Sequence, residues 1–193
     1  MIKNKKTTNR ETVLRIAASL FLERGYHLTS MDDIVAASKV SKTNIYYHFK
    51  GKEDLLAAIV DDLIAKYNQA MADTAGRSDL PATERLIKLV KGLVDQSVTG
   101  LGGSPFVTLY TQAAQEAVMI REKIGEFFHS QMTLVENLLQ EGVNNNELDP
   151  QLPVKEAAAM IIATIEGGLF LQHTDQNNDV VSQVLQGLAY AFK

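Results

Sequence analysis

Apolar side chains recur at helical spacing from residue 9 onward. Val13, Leu14, Ile16, Ala17, Leu20 and Phe21 fall three or four residues apart, with Arg10, Glu11, Arg15 and Glu23 among the polar positions, which predicts an amphipathic helix over residues 9 to 24. Gly25 then supplies the residue most at ease in the left-handed conformation that closes a helix. Thr29-Ser30-Met31-Asp32-Asp33 restarts the pattern, with Ser30 as N-cap and Asp33 at the third helical position, as in a capping box. The short helix that follows is expected to bury Met31, Ile34 and Val35. Periodicity breaks at Ser38-Lys39-Val40-Ser41 and resumes with Ser41 as the next cap. Two short helices joined by a tight turn read as a helix-turn-helix. The second, running to Phe49, has only Ile45 and Phe49 as clear apolar anchors. Its other faces carry hydrogen-bonding side chains.

Glu53 opens a long helix reaching about Ala72, whose stripe is Leu56, Val60, Leu63, Ile64, Tyr67 and Met71. The remainder is also helical and lacks strand signals. Pro81, Pro105, Pro150 and Pro153 each sit just before or inside the start of an apolar-periodic segment. Helices are predicted at about 82–98, 105–115, 118–142, 154–172 and 178–192. Gly100, Gly102 and Gly103 loosen one connection, and Asn144-Asn145-Asn146 forms a polar turn. The expectation is an all-α fold of about nine helices, divided into residues 1–53 and 54–193.

Charge separates the same two parts. Of 193 residues, 46% are hydrophobic and the formal net charge is −4. Residues 1–52 hold ten Lys/Arg against four Asp/Glu, whereas the rest holds nine against nineteen. A basic module of net +6 that meets a polyanion, joined to an acidic remainder with another task, fits this asymmetry. The absence of cysteine excludes disulfides and thiolate sites, and four scattered histidines offer little to a metal. No metal or other cofactor is expected. The N-terminus shows no signal-peptide pattern, and no apolar run reaches the roughly 20 residues that span a bilayer. A cytoplasmic protein without a membrane partner is expected.

Thr29-Ser30-Met31-Asp32-Asp33-Ile34-Val35, Val40-Ser41-Lys42, Tyr46-Tyr47-His48-Phe49-Lys50 and Lys52-Glu53-Asp54-Leu55 together resemble the DNA-binding domain of TetR-family transcriptional regulators. The resemblance covers residues 9 to 56; beyond them it rests on helix count and length. Lys39 departs from the pattern, standing where the family usually has glycine. A left-handed backbone there would strain it.

An α-helix fits the major groove and its first residues meet base edges. The resemblance implies that Lys42, Thr43, Asn44 and Tyr46 meet bases or neighbouring sugars, that Tyr47 and His48 contact phosphates, and that Lys52 grips another. Phosphate contacts set register, and base contacts discriminate sequence. Ser30 is a further phosphate donor at a helix N-terminus, besides being a cap. Lys3, Lys5, Lys6 and Arg10 form either a basic arm or a frayed end.

A small reader works as a dimer on two half-sites. Ile161, Ile165, Gly168 and Leu169 on one helix and Val181, Val184, Leu185 and Leu188 on the next offer the apolar surface for it. The resemblance implies that these two helices pair with their copies as a four-helix bundle. Tyr67, Met71, Phe106, Tyr110, Phe127, Phe128, Met132 and Met160 are aromatic and Met side chains suited to the wall of a ligand cavity; they serve equally as core. Glu166, Gln112, Glu116, His129 and Gln131 are polar among apolar neighbours, and burying such groups is costly unless they bond something. Glu166 is also the candidate partner of a cationic ligand. The expected function is thus a DNA-binding regulator, a repressor released from a palindromic operator by an unknown small-molecule effector. The alternative is an all-helical small-molecule-binding protein or enzyme without specific DNA binding. No GxSxG, His-x-x-x-His pair or phosphate-binding glycine loop supports the enzyme.

Overall fold

Nine α-helices and no strand form among the residues that the computed structural model describes, which are 8–94, 104–113, 117–174 and 179–191. They are α1 (Asn9–Arg24), α2 (Met31–Ser38), α3 (Lys42–His48), α4 (Lys52–Ala75), α5 (Ala82–Val94), α6 (Pro105–Gln112), α7 (Val118–Asn144), α8 (Val154–Thr174) and α9 (Val180–Ala191). The all-α expectation holds. α4 continues one turn past its predicted end, and α6 stops at Gln112 rather than 115. Residues 95–98, Gly100, Gly102, Gly103, Glu116, Phe192, Lys3, Lys5 and Lys6, on which other expectations fell, lie outside the described residues.

The chain clusters into two compact units, the first built from residues up to Leu63 together with Pro105–Ile124, the second from Ile64–Ser104 and Gly125 onward. In the first unit Thr8 caps α1: its Oγ1 accepts from the Glu11 N–H at 3.1 Å, and the Glu11 carboxylate accepts the Thr8 N–H at 2.8 Å. Val13, Leu14, Ala17, Leu20 and Phe21 are buried, as are Ile34, Val40, Ile45, Phe49, Leu55, Leu56, Ile59 and Val60 on the following helices. Met31 and Val35 are only half-buried, because a two-turn helix turns a narrow face inward. Gly25 closes α1 at φ 96°, ψ 145°, outside the left-handed helical well that was expected but in a positive-φ region that L side chains rarely adopt.

In the second unit Glu147 caps α5 from a distance in sequence. Its carboxylate accepts the Ala82 N–H at 3.1 Å and the Thr83 N–H and hydroxyl at 2.9 Å each. The Thr83 bonds, ahead of the others, hold its pKa below the usual carboxylate value. Asn146 turns the chain at φ 58°, a left-handed conformation that asparagine tolerates. Arg85 is buried, with its guanidinium bonded to Glu141 and, at 2.9 Å, to the Ala75 carbonyl. α9 packs along α8 so closely that a Cβ on Gly168 would lie 3.0 Å from Val184 Cγ2.

Candidate functional site

The second helix of the helix-turn-helix is held by two side chains. Ile45 and Phe49 are 0% and 2% exposed, and burying each contributes about 1.5–3 kcal/mol. With those anchors turned inward, Lys42, Thr43, Tyr46, Tyr47 and His48 are left outward. Tyr47 is 82% exposed and meets the His48 ring edge-on at 5.0 Å. Such an outward apolar ring costs hydration unless something covers it. Ser41 caps the helix, accepting the Asn44 N–H at 3.3 Å. Asn44 is half-buried, and its Oδ1 is shielded from water without a hydrogen-bond partner.

The turn before this helix takes its shape from Lys39, left-handed at φ 57°, ψ 17°, as the sequence pattern suggested for that position. Ser38 braces the turn by accepting the Val40 N–H at 3.3 Å. The predicted capping box of α2 forms: Ser30 Oγ accepts the Asp33 N–H at 3.1 Å and Asp33 accepts the Ser30 N–H at 2.8 Å. The Ser30 hydroxyl also donates to Asp33 at 2.5 Å, and this bond lowers the pKa of that carboxyl most. Lys42 pairs with Asp32 at 2.8 Å on the open surface.

Lys52 is placed less simply than expected. Its ammonium donates to the Tyr26 and Thr29 carbonyls at 2.9 and 3.0 Å and lies 4.4 Å from the centre of the Tyr26 ring. An ammonium has three N–H groups, so one remains for an anion. The same loop is tied by the Tyr26 N–H, which donates to Gln112 Oε1 at 2.9 Å, and by the buried Thr29 hydroxyl, which donates to the Gly25 carbonyl at 2.9 Å. The sequence pattern did not give Lys52 or Thr29 these roles; their partners are backbone carbonyls, which no side-chain pattern displays.

The residues named for a ligand wall separate. In the second unit Tyr67 and Phe127 are buried and meet edge-on at 5.9 Å, with Phe128 at 5.7 Å from Phe127. Met71 is buried beside Tyr67 in the lining of a cavity of only about 20 Å³. Met132 is half-buried. Met160 is 45% exposed on α8, because the apolar neighbours Ile161 and Ile165 take the inward face. In the first unit Phe106 is buried, whereas Tyr110 is partly exposed beneath the Arg121 guanidinium at 4.2 Å. Glu166 lies among apolar groups. Burial pushes its pKa up, opposed by a hydrogen bond with Ser104, and its Oε2 has no partner. Gln131 is likewise buried with Oε1 unpartnered, while His129 is exposed.

The residues expected at a dimer surface divide between α8 and α9. Ile161, Ile165 and Leu169 are buried within the single chain, and Gly168 receives Val184. They are spent on the protomer's own packing. Val181, Val184, Leu185 and Leu188 are half-buried on the inward side of α9. The outward face of α8 is Met160, Ala163, Gly167 and Phe170, with Phe170 at 56% exposure. No group of residues suited to a metal occurs among the described residues, and no described helix is long and apolar enough to cross a membrane.

A helix-turn-helix whose second helix is anchored by two side chains and presents polar and cationic groups outward is a DNA-binding module. Comparison with known proteins gives its family. The profile of bacterial regulatory proteins of the tetR family matches residues 13–59, and that of the tetracyclin repressor-like C-terminal domain matches residues 82–188. The HTH-type transcriptional regulator LmrA of Bacillus subtilis is 29% identical over 88% of this chain and 89% of its own. The HTH-type transcriptional repressor KstR2 of Rhodococcus jostii is 26% identical over 95% and 93%. A TetR transcriptional regulator from Chloroflexus aurantiacus superposes with a TM-score of 0.82 at 26% identity, covering 94% of this chain and 92% of that one. The chain belongs to the TetR family of DNA-binding transcriptional regulators.

Proposed function

We propose that this protein is a homodimeric repressor, released from a palindromic operator when a small-molecule effector binds the part of the chain after residue 53. The observation that carries the DNA reading is the division of α3 into two buried anchors and an exposed polar surface. Lys42, Thr43, Asn44 and Tyr46 meet bases or sugars; Tyr47, His48 and the remaining N–H of Lys52 meet phosphates, with Ser30 at the edge. The two orphaned acceptors, Glu166 Oε2 and Gln131 Oε1, favour an effector that donates hydrogen bonds. An effector shifts the operator-bound population only by its differential affinity for the two dimer geometries. A protein with relatives that are regulators and with no catalytic constellation in its sequence acts by binding rather than by catalysis.

The test is titration of the dimer with duplex from its own upstream region, over a range of salt and with unrelated competitor. Lys52→Met is expected to weaken operator binding and lower the magnitude of the salt slope by about one. Tyr47→Phe, which removes only a hydroxyl, is expected to weaken binding with the slope unchanged. An unaltered slope in Lys52→Met would confine Lys52 to bracing the Tyr26 loop. Failure to bind any duplex from a randomised pool would sink the DNA reading.

A further inference from the structure

An apolar recess framed by helices in the second unit lies away from the aromatic cluster. It is a groove of about 470 Å³ between α5, α8 and α9, within the range of roughly 300–1,000 Å³ usual for ligand sites. Leu86 and Val90 of α5, Ile161 of α8 and Leu185 and Leu188 of α9 form its walls, with Leu148 at one end. Two polar side chains border it. The Thr83 hydroxyl is committed to Glu147. Lys91 has no ion pair or hydrogen bond among the described residues, whereas its neighbour Lys88 is paired with Glu84 at 2.8 Å.

Thr83 and Lys91 are two turns apart on α5, about 12 Å along the helix axis. The groove is therefore an apolar trough with a positive charge towards one end. We propose that it binds an aliphatic carboxylate or comparable amphipathic anion, the chain lying between α5 and α9 and the anionic head at Lys91. Neither a flat apolar partner surface nor a hydrocarbon without a head group would use the Lys91 charge. The exposed apolar residues of α8 lie on a different face. Ala163 stands 200° around α8 from Ile161, and the exposed Phe170 and Gly167 share that opposite side.

This site is independent of the DNA reading, and its test needs no DNA. Decanoate and decanol are titrated calorimetrically into the full-length protein, with sedimentation followed in parallel. Decanoate is expected to bind saturably, one per chain, about fivefold tighter than decanol, the size of a partly exposed ion pair. Lys91→Met is expected to abolish that preference and leave decanol binding unchanged. Ala189→Trp, at an exposed position in the groove wall, fills the trough and is expected to abolish both while leaving the unliganded melting temperature in place. Leu188→Gln gives the same readout if the indole perturbs α9. Equal binding of the two probes, no saturable binding, or binding that survives both groove variants overturns the proposal. A shift to monomer in Ala189→Trp would overturn it by making the groove an interface between copies.

Discussion

At Lys39 a non-glycine residue holds the left-handed turn of the helix-turn-helix, with φ 57°. That conformation costs an L side chain about 1–2 kcal/mol. Glycine would remove this strain but adds about 0.4–1 kcal/mol of chain entropy to the unfolded state. Lys39→Gly is thus expected to stabilise the protein by roughly 0.5–1 kcal/mol, read as a higher urea midpoint at unchanged slope; a lower midpoint would mean that the lysine stem makes packing worth more than the strain. Glu166 also opposes folding, through its charge rather than its backbone. Because burial raises its pKa from the ordinary 4.5, the folded chain holds this proton to higher pH than the unfolded chain does. Stability therefore falls as pH rises from 4.5 through the raised value. Glu166→Gln removes the charge and keeps the shape. Its melting temperature is expected to match the natural protein near pH 4, exceed it increasingly as pH rises through the raised value, and hold that advantage above it; an advantage already complete at pH 4 would place its origin elsewhere.

The elements show where a one-dimensional pattern is sufficient and where it fails. α2 and α3 were legible because short helices with few apolar residues leave no choice of inward face, and because Ser30 and Ser41 mark where each begins. α8 was legible as a helix but not in its orientation. Ile161, Ile165 and Leu169 on one side compete with Met160, Ala163, Gly167 and Phe170 on the other, and a helix apolar on two faces does not say which one its own chain will cover. Nor could the α5–α8–α9 groove or the Glu147 cap be read, since each joins segments far apart in sequence. The seam between α8 and α9 is tested through its glycine. Gly168→Ala must push Val184, a stiff β-branched side chain, from 3.0 Å, and is expected to cost about 1–2 kcal/mol. Gly125→Ala, on α7 with nothing within 4 Å of the added Cβ, is expected to stabilise by about 0.5–1 kcal/mol through helix propensity. Similar changes in the two variants, measured by chemical denaturation, would mean that α9 is not seated on Gly168.

For the molecule as a whole, the proposed dimer requires that two readers be held at one spacing. The inward face of α8 is covered within the chain itself, so a second copy is expected to dock on the outward one. There Met160, Phe170 and Leu171 are 45%, 56% and 52% exposed. Large apolar side chains gathered on one side of a helix mark an interaction surface, and the small Ala163 and Gly167 between them allow backbones to approach. Gly167 has open space around its absent Cβ, so Gly167→Arg fits the isolated chain without a clash. In a dimer joined across this face it places two like charges at the centre of the interface. A few kcal/mol of unpaired, desolvated charge corresponds to at least about a hundredfold weaker association. Sedimentation equilibrium is expected to show monomers at concentrations where the natural chain is dimeric, and a palindromic operator is expected to be bound no more tightly than one half-site. Retention of the dimer in Gly167→Arg would place the contact on another face and with it the geometry by which an effector changes the spacing of the readers.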